Sequence, residues 1–144
     1  MSVADILKSK GTAVMTVRPG ETIEGLAQRL RLAGVGAMIV SRDGQSLDGI
    51  ITERDIAYAL AGHLDDLHEM RVSDLMTVMV VTCSPQDSVA DAARIMTKRR
   101  IRHLPVKEGG RLVGVISIGD VLKHRLDEIE LEASVLRDLA LAAR

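Results

Sequence analysis

Apolar and polar positions along this chain fall into two rhythms, and the rhythms come in the same order twice. In residues 22–33, Ile23, Leu26, Ala27 and Leu30 lie at helical spacing, and Val89, Ala92, Ala93 and Met96 repeat it further on. Each set predicts an amphipathic helix. Short β-rich runs follow, at 36–41 with 47–51 and at 102–107 with 111–116, joined by the turn formers Arg42-Asp43-Gly44 and Glu108-Gly109-Gly110. Each pair predicts a hairpin. A second helix starts from Thr52 in one half and Ser117 in the other, and residues 12–17 and 78–82 supply a leading strand. The predicted unit is β-α-β-β-α, present twice, so the fold class is α+β. A unit of about 50 residues cannot cover both faces of a three-stranded sheet, so the two copies are expected to pack together.

Residues 16–60 laid over 82–125, with a gap opposite Gln45, give nine identical pairs, from Thr16 with Thr82 and Pro19 with Pro85 to Gly49 with Gly114 and Asp55 with Asp120. Most other pairs keep their polarity, as Ile23 does with Val89 and Leu30 with Met96. The division that follows is a first repeat with its N-terminal segment at 1–62, a linker at 63–71, a second repeat at 72–126 and an extra C-terminal helix at 127–144. In that last stretch Leu122, Leu126, Ile129, Ala133, Leu136 and Ala140 are spaced 4-3-4-3-4, the seam of a helix that packs on another helix. Leu131, Val135 and Leu139 widen the apolar face, so packing across its own module or a dimer mate is expected. Residues 1–10, with Val3, Ile6 and Leu7, predict a short helix adding to that surface.

Composition removes several functions. With 144 residues, 47% of them hydrophobic, the chain has enough apolar surface for a core without metal or disulfide staples. Its single cysteine, Cys83, has no partner for a bridge and fits a reducing, cytosolic setting. No stretch nears the roughly 20 apolar residues that span a bilayer, and the opening MSVADILKSK lacks a signal-peptide core. A formal net charge of -1 and the absence of Trp and Phe argue against a nucleic-acid partner, which needs a cationic surface and stacking platforms. The basic run 98–103 is short and spans a predicted helix end, where cations satisfy terminal carbonyls.

Candidate chemistry lies where strand meets helix. Gly49-Ile-Ile-Thr52-Glu53-Arg54-Asp55 and Gly114-Val-Ile-Ser117-Ile118-Gly119-Asp120 share a glycine, two apolar residues, a hydroxyl and an acid three positions later. The hydroxyl and acid form a capping box, in which the acid bonds back to its own main chain. The same helix N-terminus attracts an anion, typically phosphate, and the carboxylate can accept two ribose hydroxyls. The residues leave both readings open.

These two junctions, the lead-in from Met76-Thr77 to Pro85, and Arg102-His103-Leu104-Pro105-Val106 together resemble a tandem pair of cystathionine-β-synthase (CBS) domains over nearly the whole chain. The resemblance implies two repeats packed about a pseudo-twofold axis, with two clefts that take adenosine-containing ligands: AMP, ADP, ATP, NAD, NADH or S-adenosylmethionine. It implies further that Asp55 and Asp120 hold ribose hydroxyls and that Thr52 and Ser117 meet phosphate or ribose. In the second repeat, Thr82 and Ser84 line the pocket, Ile101 flanks adenine, and Arg102 and His103 reach phosphates, with Pro105 and Gly119 in the same set. Thr16, Val35, Gly36 and Ala37 are the first-repeat counterparts, with Arg54 beside the junction. The copies diverge here, since residues 98–103 are basic where 32–37 are small and apolar. Charge-assisted bonds to phosphate are the stronger ones, so the second repeat is expected to favour phosphate-rich ligands.

The resulting expectation is a non-catalytic sensor, a homodimer that signals through its own packing or through an effector protein. The alternative is a structural or protein-interaction module with empty sites. No nucleophile, paired-carboxylate or Gly-rich phosphate-loop pattern marks an enzyme. His63 and His68, five residues apart, do not share a helical face and read as a solvated connection rather than a metal site. Cys83 at a strand end is expected to be buried, and the methionines are adaptable core filler.

Overall fold

The structure, a computed structural model, describes residues 1–143. In chain order its elements are α1 (Val3–Lys10), β1 (Thr16–Val17), α2 (Ile23–Ala33), β2 (Ala37–Val40), β3 (Gly49–Thr52), α3 (Glu53–Leu60), a 3-10 turn (Leu67–Glu69), α4 (Val72–Leu75), α5 (Val89–Arg99), β4 (His103–Glu108), β5 (Arg111–Ser117) and α6 (Ile118–Ala142). They fall into two compact units. One holds the first repeat, residues 13–81 with 108–113, and the other holds residues 1–12, 82–107 and 114 onward.

In the first-repeat unit β1 runs parallel to β2, with Val17 opposite Val40, and β2 runs antiparallel to β3, with Ala37 opposite Thr52. Val17, Met38, Val40 and Ile51 of this sheet pack with Ile23, Leu26 and Leu30, which fall on one face of α2. Thr22 caps α2 by accepting the Gly25 N–H at 3.2 Å. The helix stops at Gly34, whose φ of 67° is a left-handed turn that glycine enters without a side-chain clash.

The second-repeat unit rebuilds the same pieces. Ser88 caps α5 as Thr22 caps α2, and Arg100 takes the left-handed position of Gly34 with φ 55°. Cys83 bridges Val106 in the parallel sense, the counterpart of Val17 opposite Val40. The leading strand predicted at 12–17 is reduced to Thr16–Val17, and that predicted at 78–82 to this one bridge at Cys83. With only two polar links to β4, from the Cys83 N–H to Pro105 and from the Lys107 N–H to Cys83, the ladder is too short to count as a strand.

Each unit is completed by a short helix. In the second-repeat unit, the Val3 and Ala4 N–H groups donate to the Asp87 and Pro85 carbonyls, which fastens α1 there. In the first-repeat unit, the Val72 and Ser73 N–H groups donate to Glu21 and Pro19, which fastens α4 in the equivalent place. The sequence-based division keeps residues 1–62 together, whereas contacts group α1 with the second repeat. The matching glycines explain the fit. A Cβ on Gly49 would lie 2.8 Å from the Thr77 carbonyl oxygen and 3.1 Å from the Met76 sulfur, and one on Gly114 would lie 2.6 Å from Leu7.

The last helix of the second repeat and the predicted extension are one continuous 25-residue α6. Among its described residues Val121 and His124 are buried and Glu128 is half-buried, while the seam from Leu122 to Ala140 is exposed.

Candidate functional site

The strand-to-helix junctions form as the capping pattern requires. Thr52 is extended at the end of β3, and its hydroxyl accepts the Asp55 N–H at 3.3 Å. Asp55 answers through Oδ2, which accepts the Thr52 N–H at 2.9 Å and the Thr52 hydroxyl at 3.1 Å. Ser117 and Asp120 repeat this at α6, with 3.2 Å for the Asp120 N–H to Ser117 Oγ and 2.8 Å for the Ser117 N–H to Asp120 Oδ2. In both copies the acid uses Oδ2 for its cap, and Oδ1 has no hydrogen bond among the described residues. Capping and ligand binding therefore do not compete for the whole carboxylate.

The strands bring the remaining junction residues alongside. The Glu53 N–H donates to the Gly36 carbonyl at 2.9 Å, and the Ile118 N–H donates to the Arg102 carbonyl at 2.8 Å. Thus Gly36 and Ala37 sit beside Thr52 and Asp55, and Arg102 and His103 sit beside Ser117 and Asp120. The same bonds narrow the expected anion site, because the first and third N–H groups of each helix are already spent on protein acceptors. The carboxylate oxygen is the more available polar group.

An open groove of about 570 Å³ lies between the end of α2 and the start of α3, within the size range of small-molecule sites. Leu30 and Ile56 give it apolar surface, Arg31 and Glu53 bring opposite charges, and Val35 and Gly36 line it. Thr16, Ala37, Thr52, Arg54 and Asp55 are outside its lining. Thr16 lies in β1, where its carbonyl accepts from Arg29 at 2.7 Å.

The second-repeat candidates are less uniform. Thr82 and Ile101 are half-buried, Arg102 and Gly119 are exposed, and Pro105 is buried in β4. Ser84 is held in a local turn, with its N–H on Asp87 at 2.8 Å and its hydroxyl on Gln86. Asp120 has a neighbour that the motif did not reveal: Lys10, at the end of α1, donates to its Oδ2 at 2.7 Å. Burial raises the carboxyl's proton affinity, but the Lys10 ammonium and the Ser117 bonds outweigh it and hold Asp120 below the usual carboxylate range. The signal for α1 was present in sequence, since Val3-Ala-Asp5-Ile6-Leu7 recurs as Val72-Ser-Asp74-Leu75-Met76.

No metal-competent cluster of His, Cys, Asp and Glu occurs among the described residues, and none of their helices is long and apolar enough to cross a membrane. Cys83 is buried, and burial with the nearby Asp87 charge pushes its thiol up to about 12.

The family comparison finds the duplication as well. The CBS domain model fits residues 3–62 and 72–127, and the chain belongs to the CBS-domain family. Among curated relatives, YhcV of Bacillus subtilis is 33% identical over 129 residues, covering 90% of each chain. Mitochondrial CBSX3 of Arabidopsis thaliana is 32% identical over 135 residues, 88% of this chain, which spans 66% of that protein's length. The CBS-domain protein ATU1752 of Agrobacterium tumefaciens has a solved structure similar to this one, with 43% identity, a TM-score of 0.83 and coverage of 86% of this chain and 92% of that one. The CBS domain pair of protein MJ0100, solved with 5′-methylthioadenosine and S-adenosyl-L-methionine, is 27% identical with a TM-score of 0.74, covering 85% of this chain and 98% of that one.

Proposed function

We propose that this chain is a non-catalytic regulatory module that binds an adenosine-containing ligand at its strand-to-helix junctions. The observation carrying this reading is the divided use of the two acids: Oδ2 of Asp55 and of Asp120 caps a helix, and Oδ1 is left for a sugar hydroxyl. The adenosine derivatives bound to the related MJ0100 pair support the ligand class. Thr16, Val35, Gly36, Ala37, Thr52 and Arg54 are the remaining first-repeat contacts of the proposal. Thr82, Ser84, Ile101, Arg102, His103, Pro105, Ser117 and Gly119 are those of the second.

The two sites are not equivalent. Arg102 and His103 beside Ser117 favour a phosphate-bearing ligand such as AMP, ADP or ATP, while Lys10 keeps its bond to Asp120 Oδ2 and leaves Oδ1 to the sugar. The first junction, flanked by Gly36 and Ala37, suits a less charged ligand such as S-adenosylmethionine. A second reading, a structural module with unused junctions, is favoured by one fact: the bonds at both acids are those a plain helix cap needs.

Calorimetric titration of adenosine, AMP, ATP, NADH and S-adenosylmethionine into the chain and into Asp55→Asn and Asp120→Asn separates the two. The ligand reading predicts binding that one or both substitutions remove, and about 2.7 kcal/mol of stabilisation at a hundredfold excess over Kd. Absence of binding by all five ligands, or binding indifferent to both substitutions, overturns it.

A further inference from the structure

α1 lies along the second strand-to-helix junction and meets it at both ends. Leu7 is buried against Gly114, where an added Cβ would lie 2.6 Å from a Leu7 methyl carbon. Lys10, three residues further and so on the same helix face, reaches Asp120 Oδ2 at 2.7 Å. Gly114 and Asp120 open and close the junction motif. The helix itself sets where Lys10 stands, because Val3, Ile6 and Leu7 are buried and the Val3 and Ala4 N–H groups are bonded to Asp87 and Pro85.

The first repeat follows the same plan without the charge. Met76, at the end of α4, takes the place of Leu7 against Gly49. The register that sets Val3 opposite Val72 sets Lys10 opposite Met79, which is 91% exposed and has no ammonium to offer Asp55.

An ammonium carries three N–H donors. Lys10 spends one on Asp120 and donates to no other acceptor among the described residues. Both side chains are partly open, Lys10 by 37% and Asp120 by 25%. A sugar hydroxyl is donor and acceptor at once. When it gives its proton to Asp120 Oδ1, its lone pairs are within range of the ammonium that sits on the other oxygen of the same carboxylate. Both bonds are charge-assisted, which makes them the stronger kind.

We propose that Lys10 is a specificity-determining residue of the second site, donating to the oxygen of one ribose hydroxyl while Asp120 Oδ1 accepts from the diol. The first site, with Met79 in that register, reads its diol through Asp55 without such a donor. The inference rests on the ligand reading of these junctions and names a residue that the motif does not contain.

Calorimetric titration of AMP, 2′-deoxy-AMP and 3′-deoxy-AMP tests it. The titrated chains are Asp55→Asn, in which only the second site keeps its acid, and Asp55→Asn with Lys10→Met. Lys10→Met is expected to shrink the penalty for losing one of the two hydroxyls about tenfold and to leave the other within about twofold. Comparing penalties cancels the general loss of a positive charge beside the phosphate. A lysine that only holds Asp120 in place shrinks both penalties together, and one that serves the phosphate shrinks neither. Either result overturns the role of Lys10 and leaves the ligand reading standing. Failure of Asp55→Asn to bind any of the three nucleotides overturns the ligand reading of the second junction, and the role of Lys10 with it.

Discussion

Lys10 Nζ and the Ser117 N–H meet on a single oxygen, Asp120 Oδ2, at 2.7 and 2.8 Å, so the acid that starts α6 is also where the end of α1 is fastened. The folded protein therefore holds Asp120 in its charged form to a lower pH than an unfolded chain does. A carboxyl depressed in this way adds stability above its unfolded pKa, and that stability is lost as pH falls through the folded value. Lys10→Met keeps the methylene stem and removes the charge. It is expected to cost about 0.5 kcal/mol near neutrality, reduced by the partial exposure of both groups. The cost should fade as pH falls through the folded-state value of Asp120, below which the carboxyl is protonated in both states. Urea-unfolding midpoints followed from neutrality into acid check this, and a deficit unchanged by acid contradicts it.

Gly49 and Gly34 differ in the reason for their lack of a side chain. A methyl group on Gly49 would meet the Thr77 carbonyl and Met76, so Gly49→Ala is expected to cost about 1–3 kcal/mol through displaced packing. Gly34 is exposed with nothing near its Cβ position, and Gly34→Ala should cost about 1 kcal/mol from its left-handed backbone alone. Thermal unfolding of both variants measures the pair. The first should also loosen α4, seen as faster amide exchange at Val72 and Met76.

Cys83 is buried in the second-repeat unit, and its thiol is pushed up to about 12, chiefly by that burial. A thiol reagent at about pH 8 should leave it unmodified in the folded chain and label it fully in denaturant. Rapid labelling of the folded chain would show that the Cys83 environment opens readily.

Much of this architecture is legible in the sequence, because duplication doubles every signal. The amphipathic spacing of α2 recurs in α5, and the hairpin turns recur at Gly44 and Gly110, so each element is predicted twice. The leading strands were overestimated because apolar residues at 12–17 and 78–82 resemble strand, while only Thr16, Val17 and Cys83 find partners on the neighbouring backbone. The Thr52–Asp55 and Ser117–Asp120 pairs were visible as motifs. Which oxygen each acid spends was not, since that depends on side-chain rotamers. Lys10 beside Asp120 was also hidden, because 110 residues separate them and only the docking of α1 brings them together.

The placement of α1 and α4 has a consequence for cutting this protein in two. Severed in the connection after α3, the N-terminal piece would carry the helix that completes the other repeat and lack the one that completes its own. Val17 and Ile51 would lose Val72 as a neighbour, and Leu104 and Ile116 would lose the segment of their own unit that carries Ile6. Neither half is a self-sufficient fragment. The smallest inheritable piece of this design is the whole interleaved pair, and fragments that regain order would do so by complementing each other in trans.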